Sequence, residues 1–180
     1  MDTSQRLERA RFFRGNQLTL EDLELQQQYF REKLKRHNRV LHGFGIVSGL
    51  KVMVKSGEIL VEPGLALDCE GNEIILGTAE SIVLRPADNW HTAFVNLRFV
   101  EECAEPAQMA LETEPASDLT IYLVESFELA VAPDNLNHGH RHLRGRWLAC
   151  SQPHALTIAK LRRNSQGWRV DRGYRAPQVK

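Results

Sequence analysis

The chain lacks an excess of either charge and lacks long apolar runs. Lys plus Arg and Asp plus Glu both number 23, so the 180-residue chain has no formal net charge at pH 7. This balance excludes a general polycation for nucleic acid and an acidic solvating tail. No apolar run approaches the roughly 20 residues that a transmembrane helix requires, and the N-terminal segment lacks the apolar core of a secretory signal. We therefore predict no nucleic-acid partner and no direct membrane insertion.

Cysteine is also scarce. The chain has 3 cysteines, Cys69, Cys103 and Cys150, which are widely separated and form no C-x-x-C pair. An odd number at this spacing is neither a disulfide framework nor a zinc motif. A reducing compartment is the simplest explanation, and we expect cytoplasmic synthesis without export.

Motifs of the common enzyme classes are missing as well. Ser48 and Gly49 match only part of the G-x-S-x-G nucleophile elbow and lie in a strand-like pattern. Gly43 and Gly45 belong to no phosphate-binding loop, because the G-x-x-x-x-G-K-[ST] spacing and the following helix are absent. The acidic residues around Asp68 do not have the spacing of a calcium loop. We predict that the protein is not an enzyme and that it has no catalytic residue and no cofactor.

Histidine is concentrated in one segment. Residues 138–142 read His-Gly-His-Arg-His, and alternate side chains of an extended segment share one side, where histidines can chelate Zn²⁺, Ni²⁺ or Cu²⁺. The positive charges of Arg141 and Arg144 oppose cation binding, so we predict no metal site. The favoured interpretation is a basic surface loop in which His140, Arg141 and Arg144 face an acidic partner protein. A metal-dependent hydrolase is a lower-ranked alternative.

One helix is predicted over residues 19–43. Thr19 is a suitable N-cap, and Asp22 three residues later completes a capping-box pattern. Acidic residues fill the first turn and basic residues fill the end, which complements the helix dipole. Gly43 supplies the stop signal.

The predicted helix has an apolar stripe along one face, whose members step by three and four residues. The stripe residues are Leu20, Leu23, Gln27, Phe30, Leu34, His37 and Leu41. Two interpretations are open. The stripe either packs on a sheet of the same chain or forms a seam against another subunit.

After Gly43 the period of the apolar residues changes to two, which is typical of strands. The candidate strands are 44–55, 58–61, 65–67, 73–76, 81–84, 93–101, 119–130, 155–161 and 168–170. Tight turns are predicted at 56–57, 70–72 and 165–167. Because helices do not alternate with these strands, the predicted fold class is mainly β with one N-terminal amphipathic helix. The body is expected to be a β-sandwich or small barrel.

The chain length predicts a single domain. Its predicted parts are an N-terminal arm (1–18), the helix (19–43) and a β-rich body (44–180), with a split into two layers considered near 86–91. The arm contains Phe12, Phe13 and Arg14. The local pattern favours packing of the two phenylalanines on the chain's own core, and docking on a neighbouring subunit is the alternative.

The stretch from Phe12 to Leu76 resembles a module of phage tails and contractile injection systems that is associated with the baseplate or the fibres. The family pattern is an F-x-G-Q-L start, a Q-x-Y-x-x-x-K helix, an N-x-x-L-H-G-x-G-V-V-x-G-L core and a V-x-P-G-x-A-L-D-x-x-G turn. The matching segments are 12–19 (FFRGNQLT), 27–33 (QQYFREK), 36–50 (RHNRVLHGFGIVSGL), 61–68 (VEPGLALD) and 71–75 (GNEII). Two later segments, 94–103 and 169–175, are similar to the family's second half.

The sequence departs from the family pattern in three places. Asn16 interrupts the usual start, and Cys69-Glu70-Gly71 replaces a turn that is usually richer in proline and glycine. The histidine segment has no counterpart. These departures concern the identity of the partner more than the fold.

The resemblance implies a non-enzymatic structural or adaptor component of a phage-tail-like contractile injection machine, at the baseplate or the fibre attachment. It implies contacts with other subunits in a homo-oligomer or hetero-complex, and a cytoplasmic protein that is assembled into a particle. The predicted partner-binding residues are Phe12, Phe13, Arg14, Leu23, Phe30, Leu34, His140, Arg141 and Arg144. The alternative is a carbohydrate- or surface-binding β module, in which Trp90, Trp147 or Trp168 stacks on a sugar.

Overall fold

The computed structural model of the protein describes residues 7–84, 90–104, 122–137 and 154–179. These residues form one α-helix, one π-helical turn and ten strands. The helix α1 is Leu20–His37 and the π-helical turn is Asn38–His42. The strands are β1 Gly45–Gly49, β2 Val52–Lys55, β3 Glu58–Val61, β4 Gly64–Leu67, β5 Glu73–Leu76, β6 Glu80–Val83, β7 Thr92–Cys103, β8 Leu123–Ala132, β9 Ala155–Asn164 and β10 Gly167–Val170.

The start of α1 is the capping box that the sequence predicts. The Thr19 hydroxyl accepts a hydrogen bond from the Asp22 amide at 3.2 Å, and the Asp22 carboxylate accepts one from the Thr19 amide at 3.2 Å. Both interactions satisfy amides that have no partner inside the helix. The α-helix ends at His37, and the π-helical turn continues the chain to Gly43, whose φ of 79° ends the helical segment.

The strands form three sheets, and every pair of named strands is antiparallel. One sheet has the order β1-β4-β5 and another the order β2-β3-β6. The third sheet has the order β10-β9-β7-β8 and contains the longest strands. The C-terminal segment also pairs with β1, since the Ile46 amide donates to the Pro177 carbonyl at 2.9 Å and the Val179 amide donates to the Ile46 carbonyl at 3.0 Å.

The three sheets share one hydrophobic core. Each sheet contributes buried residues, for example Ile74 and Leu76 of β5, Ile59 of β3 and Leu97 of β7. The strand β5 alternates as the sequence predicts, with Ile74 and Leu76 buried and Ile75 exposed. The structure confirms a mainly β body with one N-terminal helix, built from curled sheets.

The predicted strand 44–55 is wrong in one respect, because it is two strands. β1 and β2 belong to different sheets, and Leu50 between them has a φ of 55° and is 2% exposed. Its amide donates to the Pro63 carbonyl at 3.2 Å. The break therefore comes from a contact with a distant residue, which a local apolar pattern does not report.

The other predicted strands in the described ranges correspond to observed ones, with shifted ends. β7 and β9 are longer than predicted, and β8 begins at Leu123 and runs on to Ala132. The predicted turns at 56–57, 70–72 and 165–167 join β2 to β3, β4 to β5 and β9 to β10. Most of the segment 86–91, where a split between layers was considered, lies outside the described residues.

Candidate partner-docking surface

The apolar stripe of α1 faces solvent. All seven stripe residues are exposed, with Leu23 at 49%, Phe30 at 59% and Leu34 at 52%. No residue of α1 is buried. Of the two interpretations of the stripe, packing on a sheet of the same chain does not occur among the described residues.

The opposite face of α1 is the more covered one. Residues on that face, including Asp22, Leu25, Tyr29 and Glu32, are partly buried. The apolar side chains of a surface helix normally face the protein core. In α1, Phe30 and the other stripe residues face solvent instead. An exposed apolar stripe of this kind is typical of a surface that contacts another molecule.

The C-terminal end of α1 is fixed to the turn between β4 and β5. Asn38 is 5% exposed, and its Nδ2 donates to the Gly71 carbonyl at 3.0 Å and to Glu73 Oε1 at 3.4 Å. Arg39 Nη1 donates to the Glu70 carbonyl at 3.0 Å. These bonds attach the helical segment to the β body through buried or partly buried groups, so they fix the direction in which the stripe points.

The turn that receives the helix is shaped by a buried carboxylate. Asp68 is 2% exposed and accepts hydrogen bonds from the Glu70 amide at 2.8 Å, the Asn72 amide at 2.9 Å and Asn72 Nδ2 at 2.7 Å. Charge-assisted bonds to amides compensate for the burial of a carboxylate. Two parts of the resemblance, the segment around Asn38 and the turn around Asp68, therefore meet in space.

The N-terminal arm, which precedes the stripe in the sequence, also exposes apolar side chains. Phe12 is 50% exposed, Phe13 is 66% exposed and Arg14 is exposed. The expectation that the two phenylalanines pack on the chain's own core is wrong for this structure. We use the name docking surface for Phe12, Phe13, Leu18 and the seven stripe residues.

The remaining predicted partner-binding residues, His140, Arg141 and Arg144, lie outside the described residues. The same holds for the whole histidine segment, 138–142, so its role stays a prediction. Within the described ranges, no group of three or more His, Cys, Asp or Glu side chains is arranged to hold a metal ion.

A cysteine, a histidine and a glutamate meet at the β4–β5 turn, which sequence reasoning missed. Cys69 Sγ lies 3.0 Å from His154 Nδ1, and His154 Nε2 lies 2.8 Å from Glu70 Oε1. The order of groups resembles that of a thiol nucleophile, a base and an orienting acid. Cys69 is buried, however, and the amides of Glu70, Gly71 and Asn72 already donate to Asp68. These three amides are therefore already engaged and are not available to stabilise an oxyanion.

The contact is better explained as an attachment. His154 precedes β9, and its two ring nitrogens tie that strand to the turn that also holds the helix. No local signal marks the pair, because 85 residues separate Cys69 from His154.

A second polar cluster lies between β7, β9 and the segment that follows β8. Thr157 is fully buried, and its hydroxyl contacts Asn96 Oδ1 at 2.5 Å and accepts from the Leu136 amide at 2.9 Å. Asn137 Nδ2 donates to the Thr157 carbonyl at 2.7 Å and lies 2.8 Å from the Tyr174 hydroxyl. Burial raises the pKa of Tyr174 above its ordinary value, and the Asn137 contact opposes that rise. The cluster orients residues 135–137 through these hydrogen bonds.

A shallow groove of about 420 Å³ runs between the β1–β2 connection and the β9–β10 hairpin. The carboxylate that lines it, Asp171, is 2.6 Å from Arg162 and 3.9 Å from Lys160. The Gly173 amide and these two cations hold the pKa of Asp171 below its usual value. Because its carboxylate is already paired, we assign no ligand to the groove.

The two described tryptophans do not form a sugar-stacking platform. Trp90 and Trp168 are partly buried and pack against the hydrophobic core. Trp147 lies outside the described residues. The carbohydrate-binding alternative therefore gains no support from the structure.

No helix among the described residues has the length and apolar character needed to span a bilayer.

No protein-family model matches the sequence, and no curated protein matches it. Solved structures of a secretion machine are similar in fold. A chain of the TssK–TssF–TssG baseplate subcomplex of the type VI secretion system matches with a TM-score of 0.55 and 12% identity, over 96% of this chain and 62% of that one.

Two further structures agree with this match. The baseplate complex from the type VI secretion system gives a TM-score of 0.54 at 12% identity, over 97% of this chain and 42% of the other. A crystal structure of TssK gives 0.54 at 12% identity, over 96% and 42%. The chain thus shares a fold with baseplate proteins and spans about half of their length.

Proposed function

We propose that the protein is a non-enzymatic structural component of a phage-tail-like baseplate, and that it acts by binding other subunits. The observation that supports this most directly is the exposed apolar stripe of α1. A helix that turns Phe30 and Leu34 outward while its end is fixed to the body by Asn38 is suited to contact another molecule.

The similarity in fold supports a phage-tail-like baseplate as the assembly in which the protein works. The solved structures with similar folds are baseplate proteins of a type VI secretion system. The sequence resemblance, which rests on different information, points to the same kind of assembly. Attachment of a fibre is a finer hypothesis, and the baseplate is the location we favour.

Docking would use a surface that buries apolar side chains and is bordered by basic groups. Phe12 and Phe13 would enter an apolar cleft of a neighbouring subunit, and Arg14 would pair with an acidic group at its edge. The basic residues His140, Arg141 and Arg144 would set the register against an acidic neighbour. In this function the β body is a rigid support and performs no chemistry.

The proposal is tested by recovering the tagged protein from its native host and identifying the sedimentable fraction by mass spectrometry. We expect tail-tube, sheath and baseplate proteins to be recovered with it. The double variant Phe12→Ser and Phe13→Ser should lose most of that recovery. Val83→Ser is the matched control, because Val83 is 53% exposed and lies outside the docking surface. Recovery of the wild-type protein alone, in the soluble fraction, would contradict the proposal.

A further inference from the structure

We propose that the protein forms a symmetric, antiparallel dimer in which the stripe of α1 packs on the same stripe of a second copy. The inference concerns self-association only. It does not depend on the machine in which the protein works, and it commits to one occupant of the α1 face.

The spacing of the stripe is that of a coiled-coil seam. Leu20, Gln27 and Leu34 lie seven residues apart, and Leu23 and Phe30 fall between them in the a and d positions of a heptad. A stripe restricted to a and d is narrower than the face of a helix that packs on a sheet. The stripe is therefore shaped to receive a second helix.

Charge selects the antiparallel direction. Two of the residues that flank the seam carry opposite charges and occupy the e position of the heptad, Glu24 in the first half of α1 and Arg31 in the second half. When two copies run in opposite directions about a twofold axis, Glu24 of each copy faces Arg31 of the other, so the ion pair forms twice. In a parallel pair Glu24 and Arg31 lie seven residues apart along the seam, so neither of these ion pairs forms.

The same antiparallel alignment also pairs the stripe side chains of the two copies in layers along the seam. It stacks Leu23 of one copy on Leu34 of the other, and it places Gln27 against Phe30. Leu20 then meets His37 at the ends. The apolar Leu23–Leu34 layer occurs on both sides of the axis, while the polar Gln27 disfavours other registers.

The stripe side chains are already exposed in the single copy. The more covered face of α1 is the opposite one, and the bonds from Asn38 and Arg39 to the β4–β5 turn fix the helix end. A helix that is already formed and oriented loses less entropy on association.

The first test measures self-association of the full chain by sedimentation equilibrium. We expect a concentration-dependent monomer–dimer equilibrium. Leu23→Asp should weaken it at least tenfold, whereas Val83→Asp, on an equally exposed site outside the docking surface, should not. Both side chains are exposed in the single copy, so both variants should fold, and circular dichroism checks this.

The second test establishes direction by exchanging charges. Glu24→Arg and Arg31→Glu should each weaken self-association, and the chain that contains both changes should recover it. A mixture of the two single variants should form a heterodimer, because each of its two ion pairs is restored in the antiparallel arrangement.

Several outcomes would overturn the dimer. They are a chain that stays monomeric up to about 1 mM, self-association that Leu23→Asp leaves unchanged, a trimer, or charge reversals without compensation. A monomer whose stripe is instead occupied by a different baseplate subunit would also overturn it. That last result would leave the proposed function intact, so the two proposals can fail separately.

Discussion

At the scale of single residues, Gly71 is a position where the helix and the β body are in close contact. Its φ is +90°, a conformation that L side chains rarely adopt. A Cβ at this position would also collide with the carbonyl oxygen of Lys35 in α1. Two separate reasons therefore require glycine, one from the turn itself and one from the helix that lies on it.

The first prediction compares Gly71→Ala with Gly57→Ala. Gly57 has a φ of +84° with nothing within 4 Å of its added Cβ, so its substitution should cost only the conformational strain of about 1–2 kcal/mol. Gly71→Ala should cost more, because the collision with Lys35 adds to the same strain. Urea unfolding of the two variants measures the difference.

A second outcome is that the helix shifts and the turn keeps its conformation. In that case the two unfolding free energies would be similar, but amides near Lys35 would exchange faster with solvent in Gly71→Ala only. Equal stability together with unchanged exchange would contradict the proposed contact.

At this scale the sequence contains the residues that join the helix to the β body, but it does not show their contacts. The resemblance includes Asn38, Asp68 and Gly71, yet nothing local indicates that the Asn38 amide bonds to the Gly71 carbonyl across 33 residues. The contact of Cys69 with His154 has no sequence signal at all. Local sequence patterns identify unusual residues, but only the three-dimensional structure shows what those residues contact.

At the scale of elements, α1 shows which properties are local. Its start follows from Thr19 and Asp22, which act on neighbouring amides, and the sequence predicted it correctly. The direction of its apolar face depends on how the chain leaves His42 and enters β1. The hydrogen bonds from Asn38 to the β body help to set that direction. Because periodicity does not report these bonds, it left both interpretations of the stripe open, packing on the chain's own sheet or on another subunit.

The second prediction concerns the stability of α1 by itself. Because α1 has no buried residue, opening it exposes little apolar area, and it should unfold locally without the rest of the chain. At concentrations where the chain is monomeric, we expect α1 amides to exchange faster than those of residues 95–97 in β7. Hydrogen exchange read by mass spectrometry provides this comparison.

The N-cap provides a variant for the same measurement. Thr19→Ala should cost the helix about 1 kcal/mol, which corresponds to roughly fivefold faster exchange in its first turns. Thr78→Ala is the matched control, since Thr78 is an exposed threonine outside the helix. Exchange in α1 as slow as in β7 would contradict the assignment of α1 as an independent element.

The break at Leu50 is the element-scale feature that the sequence could not supply. The run from 44 to 55 is apolar and rich in β-branched residues, so a single strand was the natural prediction. The left-handed conformation of Leu50 is maintained by burial and by its bond to Pro63. A tertiary contact here overrides local propensity.

At the scale of the whole molecule, the question is whether the two β-rich halves of the chain form one cooperative unit. Strands before residue 85 and strands after residue 89 contribute to the same hydrophobic core. The C-terminal segment pairs with β1 near the start of the body, and His154 bonds to the β4–β5 turn. These connections run between the halves at three separate places, so neither half can lose its fold without exposing buried surface of the other.

The third prediction is therefore a single unfolding transition. Ile59→Ala in β3 and Leu97→Ala in β7 remove fully buried side chains from different sheets, and each should destabilise the whole chain by about 2–5 kcal/mol. In both variants tryptophan fluorescence and far-ultraviolet circular dichroism should report the same midpoint. Ile75→Ala, at a site that is 61% exposed, is the control and should change the free energy of unfolding by less than about 0.5 kcal/mol. Two separated transitions, with each core variant shifting only one of them, would contradict this prediction. Such a result would divide the β body into independent domains and would remove the rigid support that the docking surface requires.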